Sequence, residues 1–161
     1  MKGFDRLGSC QFLSALLFLC APLLSAKGQG PAEYAVKIIC GTADRPAIAP
    51  GTYFTAINVH NPSAESVKIQ FKIALTMPQI VPGPISQFFP AGLKGDQALE
   101  IDCTDIARRA PIRSRFLKGF VVIQSATELD VVGVYTAANA ADGRVVTLEI
   151  ERVPVRHVAQ R

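Results

Sequence analysis

From position 33 to position 153 apolar and polar residues alternate along the chain. Val67, Ile69, Phe71 and Ile73 are separated by Lys68, Gln70 and Lys72, a period of two that puts apolar side chains on one face of a strand and polar ones on the other. Tyr53, Thr55, Ile57 and Val59 repeat the pattern within 53–60, and Leu99, Ile101 and Cys103 alternate with Glu100 and Asp102 within 98–103. Four further strands are predicted over 33–40, 116–125, 129–137 and 145–153, rich in β-branched residues. Turn chemistry separates them: Pro46 and Pro50-Gly51, Asn61-Pro62-Ser63, Ala126-Thr127-Glu128, and Asn139 to Gly143. Gly119 and Gly133 fall mid-strand, where glycine marks a bulge or a close backbone approach. A short helical turn is expected after 103, capped by Thr104 or Asp105, with Arg108 and Arg109 at the negative end of its dipole and Pro111 as its stop.

Residues 76–96 break the rhythm. Pro78, Pro82, Pro84 and Pro90 exclude a central strand through most of this stretch, yet Met77, Ile80, Val81, Ile85, Phe88, Phe89 and Leu93 make it greasy for a loop. Such a loop either folds over an open end of the core, or exposes Phe88 and Phe89 as a protein contact. With no amphipathic helix of useful length, about seven strands must each bury a face. That predicts an all-β fold: a single immunoglobulin-like antiparallel sandwich, with a closed barrel as the structural alternative.

Ahead of the strands stands a segment of another kind. Lys2 and Arg6 precede an apolar run from Phe12 to Leu24, and Leu24-Ser25-Ala26 supplies a small-residue exit. This is the layout of a secretory signal peptide, too short and too proline-interrupted for a spanning helix. Leu19 before Cys20 argues against a lipoprotein cut at that cysteine. The domains expected are thus a signal peptide over 1–26, a β-sandwich over 27–154 and a frayed tail over 155–161, located in the periplasm or secreted. Cleavage removes Lys2, Arg6 and Asp5 and lowers the net charge from +4 to +3, too mild to argue for nucleic acid. It also removes Cys10 and Cys20, leaving Cys40 and Cys103 to pair in an oxidising compartment.

Several segments carry a resemblance. Tyr34-x-x-Lys37-x-x-Cys40-Gly41, Asn58-x-His60-Asn61-Pro62, Leu99-Glu100-Ile101-Asp102-Cys103 and Lys118-Gly119-Phe120-Val121-Val122-Ile123 together resemble a group of small exported bacterial proteins with an immunoglobulin-like sandwich, to which no activity is attached. The strand ending in Asn-Pro, followed by Val-x-Ile-x-Phe, is also similar to the first domain of pilus-type periplasmic chaperones. That likeness is one of sandwich layout and does not extend to the basic residues by which those chaperones grip a subunit.

Catalytic chemistry finds little purchase. There is no Gly-x-Ser-x-Gly elbow, and once Cys40 and Cys103 pair no thiol nucleophile is left. His60, beside the Asn61-Pro62 turn, reads as a polar turn-capping residue rather than a general base. No zinc spacing exists; a soft copper site would have to draw on His60, Met77 and His157. Arg108, Arg109, Arg113, Arg115 and Lys118 form a basic cluster with no acid between them, suited either to an anionic surface or to a solvated helix end. The function expected is a non-enzymatic binding or structural module of the bacterial envelope, without cofactor, whose partner is a protein or glycan. A small-ligand or copper-binding accessory domain is the alternative.

Overall fold

The computed structural model describes residues 30–44 and 48–158, so the leader expected over 1–26 lies outside the described residues. Ten strands and one short helix follow in the order β1 (Ala32–Ala43), β2 (Gly51–His60), β3 (Val67–Thr76), β4 (Pro82–Ile85), β5 (Phe89–Leu93), β6 (Ala98–Asp102), α1 (Cys103–Arg109), β7 (Phe116–Ser125), β8 (Asp130–Ala138), β9 (Val145–Arg152) and β10 (Arg156–His157). All pairings are antiparallel. The fold is the all-β sandwich that the alternation predicts.

Pairing divides the strands into two layers. In the first, β3 and β7 pair over Leu75↔Gly119 to Ile69↔Ser125, and β7 pairs with β1 over its whole length. In the second, β2 lies between β6 and β8, and β9 closes the row beyond β8. The layers join where Gly41–Ala43 at the end of β1 turns away from its own layer to pair with Gly51–Tyr53. Gly41 makes that crossing, because its φ of +99° is left-handed and a Cβ there would stand 2.0 Å from the carbonyl oxygen of Arg115. Just before the crossing Thr55 stands in for a strand: its hydroxyl accepts from the Ile39 N–H at 3.0 Å and donates to the Ile39 carbonyl at 3.1 Å.

Between the layers lies the core that the periodicity marks out. Val67, Ile69, Phe71 and Ile73 from β3 meet Ile57 and Val59 from β2, with Tyr34, Val36 and Ile38 from β1 and Val121 and Ile123 from β7. Full burial of each such side chain contributes about 1.5–3 kcal/mol. Tyr34 reaches across to the β7–β8 corner, where its hydroxyl donates to the Leu129 carbonyl at 2.9 Å and accepts from the Leu129 N–H at 2.6 Å. Burial raises the pKa of that phenol, so it stays a donor.

Five expectations need correction. The 76–96 stretch is no continuous loop: β4 and β5 both pair with β3, at an edge of the first layer where proline is tolerated. They account, with β10, for ten strands rather than seven. The tail is not frayed throughout, since Ala32 and Glu33 pair with His157 and Arg156, and Glu33 binds the Arg156 guanidinium at 2.7 Å. Helix α1 takes Asp102 as its cap, whose carboxylate accepts from the Asp105 N–H at 2.8 Å, so Cys103 opens the helix rather than closing a strand. And β9 buries neither face, although its alternation predicts one.

Cys40 and Cys103 form a disulfide. It joins β1 to the start of α1, and so ties one layer to the other, rather than bridging two central strands as in antibody domains.

Candidate functional site

The basic cluster is split by the fold. Arg109 is engaged internally: its guanidinium binds Asp105 at 2.6 Å and lies within 6 Å of the Phe71 and Phe89 rings. Arg113 donates to the Ala107 carbonyl at 2.8 Å, closing the open end of α1, but remains exposed. Arg108 and Arg115 are exposed as well, and Lys118 is half-buried. Among the described residues none of these four has a carboxylate within ion-pair distance.

Phe88 and Phe89 point to opposite environments, as neighbours near a strand start do. Phe89 packs on Phe71, ring centres 5.6 Å apart, at the margin of the core. Phe88 is more exposed and lies under the Lys72 ammonium at 4.8 Å. Leu93 is buried, so the later part of the 76–96 stretch does complete the core. Its earlier part projects: Met77, Ile80, Val81 and Ile85 are all exposed.

One exposed apolar face is one that the sequence pattern assigns to the interior. Val145, Val146, Leu148 and Ile150 of β9 are each 63–67% exposed. Register places Leu148 in a row with Thr136 and Phe54, and Ile150 in a row with Val134 and Ala56. Because Thr55, Ile57 and Val59 face the core, these rows lie on the outer side of the second layer. The inner side of β9 carries Thr147, Glu149 and Glu151, and overhangs the end of the first layer. Tyr135 donates to Glu151 there at 3.0 Å, and burial, together with the Glu151 and Glu149 carboxylates, pushes its phenol well above the ordinary range. The far edge of β9 pairs with no strand among the described residues. Beneath the overhang opens a cleft of about 560 Å³ whose lining includes Ile39, Tyr53, Phe54, Tyr135 and Glu149.

At the β2–β3 end the polar groups are absorbed by structure. Asn61, fully buried, donates to the carbonyls of Glu65 and Lys94 and accepts from the Ser63 N–H and hydroxyl. His60 lies between Asp96 at 3.0 Å and Asp130 at 3.5 Å, and these carboxylates raise its pKa. His157 is at the same end, beside Glu128, whereas Met77 follows β3 at the opposite end. The three residues a copper site would need are not brought together. Among the described residues no group of three or more His, Cys, Asp or Glu side chains is arranged to hold a metal.

No protein-family model matches the chain, and no curated protein matches it. A solved structure from Thermotoga maritima, described as the crystal structure of Thermotoga maritima 1070, is similar over 78% of this chain and 94% of that one, with 10% identity and a TM-score of 0.48.

Proposed function

We propose that this chain is a non-enzymatic binding module of the bacterial cell envelope, periplasmic or secreted, that takes up an extended segment of a partner protein along β9. One observation supports this above the rest: β9 is eight residues long, exposed on every residue, apolar on its outer side and, among the described residues, unpaired at its far edge. An edge of this kind offers a ladder of free N–H and C=O groups, and proteins that do not use such edges blunt them with lysine, proline, a cover, a bulge or inward-pointing charges, of which β9 carries the bulge beside Ala138 and its inner Glu149 and Glu151. β9 has no lysine or proline and no cover among the described residues. The outer row selects apolar side chains at alternate positions, and Glu149 and Glu151 select basic ones between them. The envelope location rests on the leader-like first 26 residues and on a disulfide that needs an oxidising compartment.

A synthetic octapeptide alternating valine and lysine tests the reading. It is expected to bind and to slow amide hydrogen exchange over 145–152. Leu148→Lys combined with Ile150→Lys should weaken binding by about tenfold or more, since the outer row loses two apolar anchors. Both sites are exposed, so the melting temperature should hold. Peptide binding that leaves 145–152 unprotected would refute the edge.

The cleft beneath β9 supports a second reading, a small-ligand domain, because Tyr53 and Tyr135 line it together with Glu149. The same exchange measurement separates the two, as a cleft ligand protects Tyr53 and Tyr135 rather than the β9 edge.

A further inference from the structure

The hairpin between β3 and β4 holds a conformation that its residues disfavour. Gln79 has φ of +64° and Ile80 has φ of +62°. Two successive positive φ values are what a type I′ turn demands, and such turns are built from asparagine, aspartate and glycine. Isoleucine is among the worst residues for this position, because its branched Cβ crowds the backbone. Buried contacts often compensate for such strain; here there are none, since Ile80 is 101% exposed. Met77, Val81 and Ile85 extend the apolar surface around it at 41%, 54% and 61% exposure. A strained, fully solvated isoleucine costs the isolated protein stability and contributes nothing to its core. Strain of this kind gathers at sites that meet a ligand.

The surroundings of the hairpin say what that ligand is. Leu75 pairs with Gly119 and the Thr76 hydroxyl donates to the Lys118 carbonyl, so the hairpin leaves the sheet beside the start of β7. Immediately before β7 come Arg113 and Arg115, both exposed and without a carboxylate partner among the described residues. The outward face of the first layer continues the charge. Lys118 is on it, together with Lys72, Lys68 and Lys37, whereas Glu33 on that face is neutralised by Arg156. The carboxylates Glu149 and Glu151 sit in the other layer, on β9. A projecting apolar tip beside cations that have no carboxylate partner among the described residues is the complement of an anionic bilayer, whose phosphates meet the cations while the tip enters the acyl boundary.

We propose that the chain docks peripherally on an anionic phospholipid surface, with Met77, Ile80 and Val81 inserted and Arg113, Arg115 and Lys118 on the headgroup phosphates. This is independent of strand uptake along β9, which lies in the other layer and stays open to a partner.

Co-sedimentation of the protein, as the cell produces it, with phosphatidylglycerol–phosphatidylcholine vesicles and with pure phosphatidylcholine vesicles tests the proposal. Binding is expected on the anionic vesicles and should fall with salt. Arg113→Gln with Arg115→Gln should weaken it about twenty-five-fold, at roughly fivefold per cation. The decisive variant is Ile80→Gly, since glycine takes this turn without steric penalty. It should weaken vesicle binding by about tenfold or more while leaving the melting temperature unchanged or slightly raised. A purely structural Ile80 would give the reverse, a lower melting temperature with binding intact, and that result overturns the proposal. So does equal binding to neutral vesicles, or no binding to anionic ones. Failure here leaves the β9 reading untouched, because the valine–lysine peptide contains no lipid.

Discussion

Asn61 shows how one polar side chain in the right place holds a corner of this fold. Three of its four hydrogen bonds, to Ser63 and Glu65, shape the β2–β3 turn from within, and the fourth fastens that turn to Lys94, with no solvent to replace them. Asn61→Ala removes all four bonds: the Lys94 carbonyl keeps the Gln97 N–H and the Glu65 carbonyl keeps the Ser63 hydroxyl, but the Ser63 N–H loses its acceptor, and the unfolding free energy should fall by about 2 kcal/mol in a urea titration. The neighbouring His60 makes the same corner sensitive to pH. Its folded pKa is raised, chiefly by the hydrogen bond to Asp96 and then by Asp130, so the folded state holds the proton more tightly than the unfolded chain. The stabilisation from this group is fully present below the ordinary histidine value of 6.5 and disappears as pH rises through the higher folded value. The melting temperature should therefore drop between pH 6 and pH 8 by an amount that His60→Asn abolishes. As a sequence signal the Asn-Pro turn was legible; the two aspartates that face His60 come from Asp96 and Asp130, distant along the chain, and were not.

At the scale of elements, the alternation names the strands well and their neighbours poorly. β2, β3 and β7 bury the faces that a period of two assigns to them, because each has a strand on both sides and a layer opposite. β9 has an equally regular pattern, Val146-Thr147-Leu148-Glu149-Ile150-Glu151, and buries nothing, because it is last in its row and no described residue covers either of its faces. The mid-strand glycines do mark close approaches: a Cβ at Gly119 would stand 2.2 Å from the Ala74 carbonyl, and one at Gly133 would meet the Tyr135 hydroxyl at 2.7 Å. The disulfide acts between elements. Replacing Cys40 and Cys103 together by alanine releases a loop of 63 residues in the unfolded chain and should cost about 4 kcal/mol in the chain-entropy account. Circular dichroism should keep its β signature, since the layers also share a continuous apolar core.

Over the whole molecule, charge and greasiness are sorted by direction. Lysines stand on the outward face of the first layer; β9 offers carboxylates and an apolar outer row on the second; an isoleucine-tipped hairpin projects at the β1–β2 end. The histidines and their carboxylates are at the β2–β3 end, where they hold turns and tail together. Net charge reports none of this, because +4 is a sum over surfaces that face different ways. The two proposed contacts occupy different surfaces, so losing one by mutation is expected to leave the other measurable.

The sequence by itself determined the class of fold, the main strands, the turn at Asn61 and the pairing of Cys40 with Cys103, because each depends on local chemistry or on there being few alternatives. Only the tertiary structure decided which apolar faces remain open, that Arg109 is held by a carboxylate while Arg113 and Arg115 have none among the described residues, and that Ile80 stands strained in solvent. Exposure is a property of what lies opposite, and a strand's own residues carry no record of whether anything does.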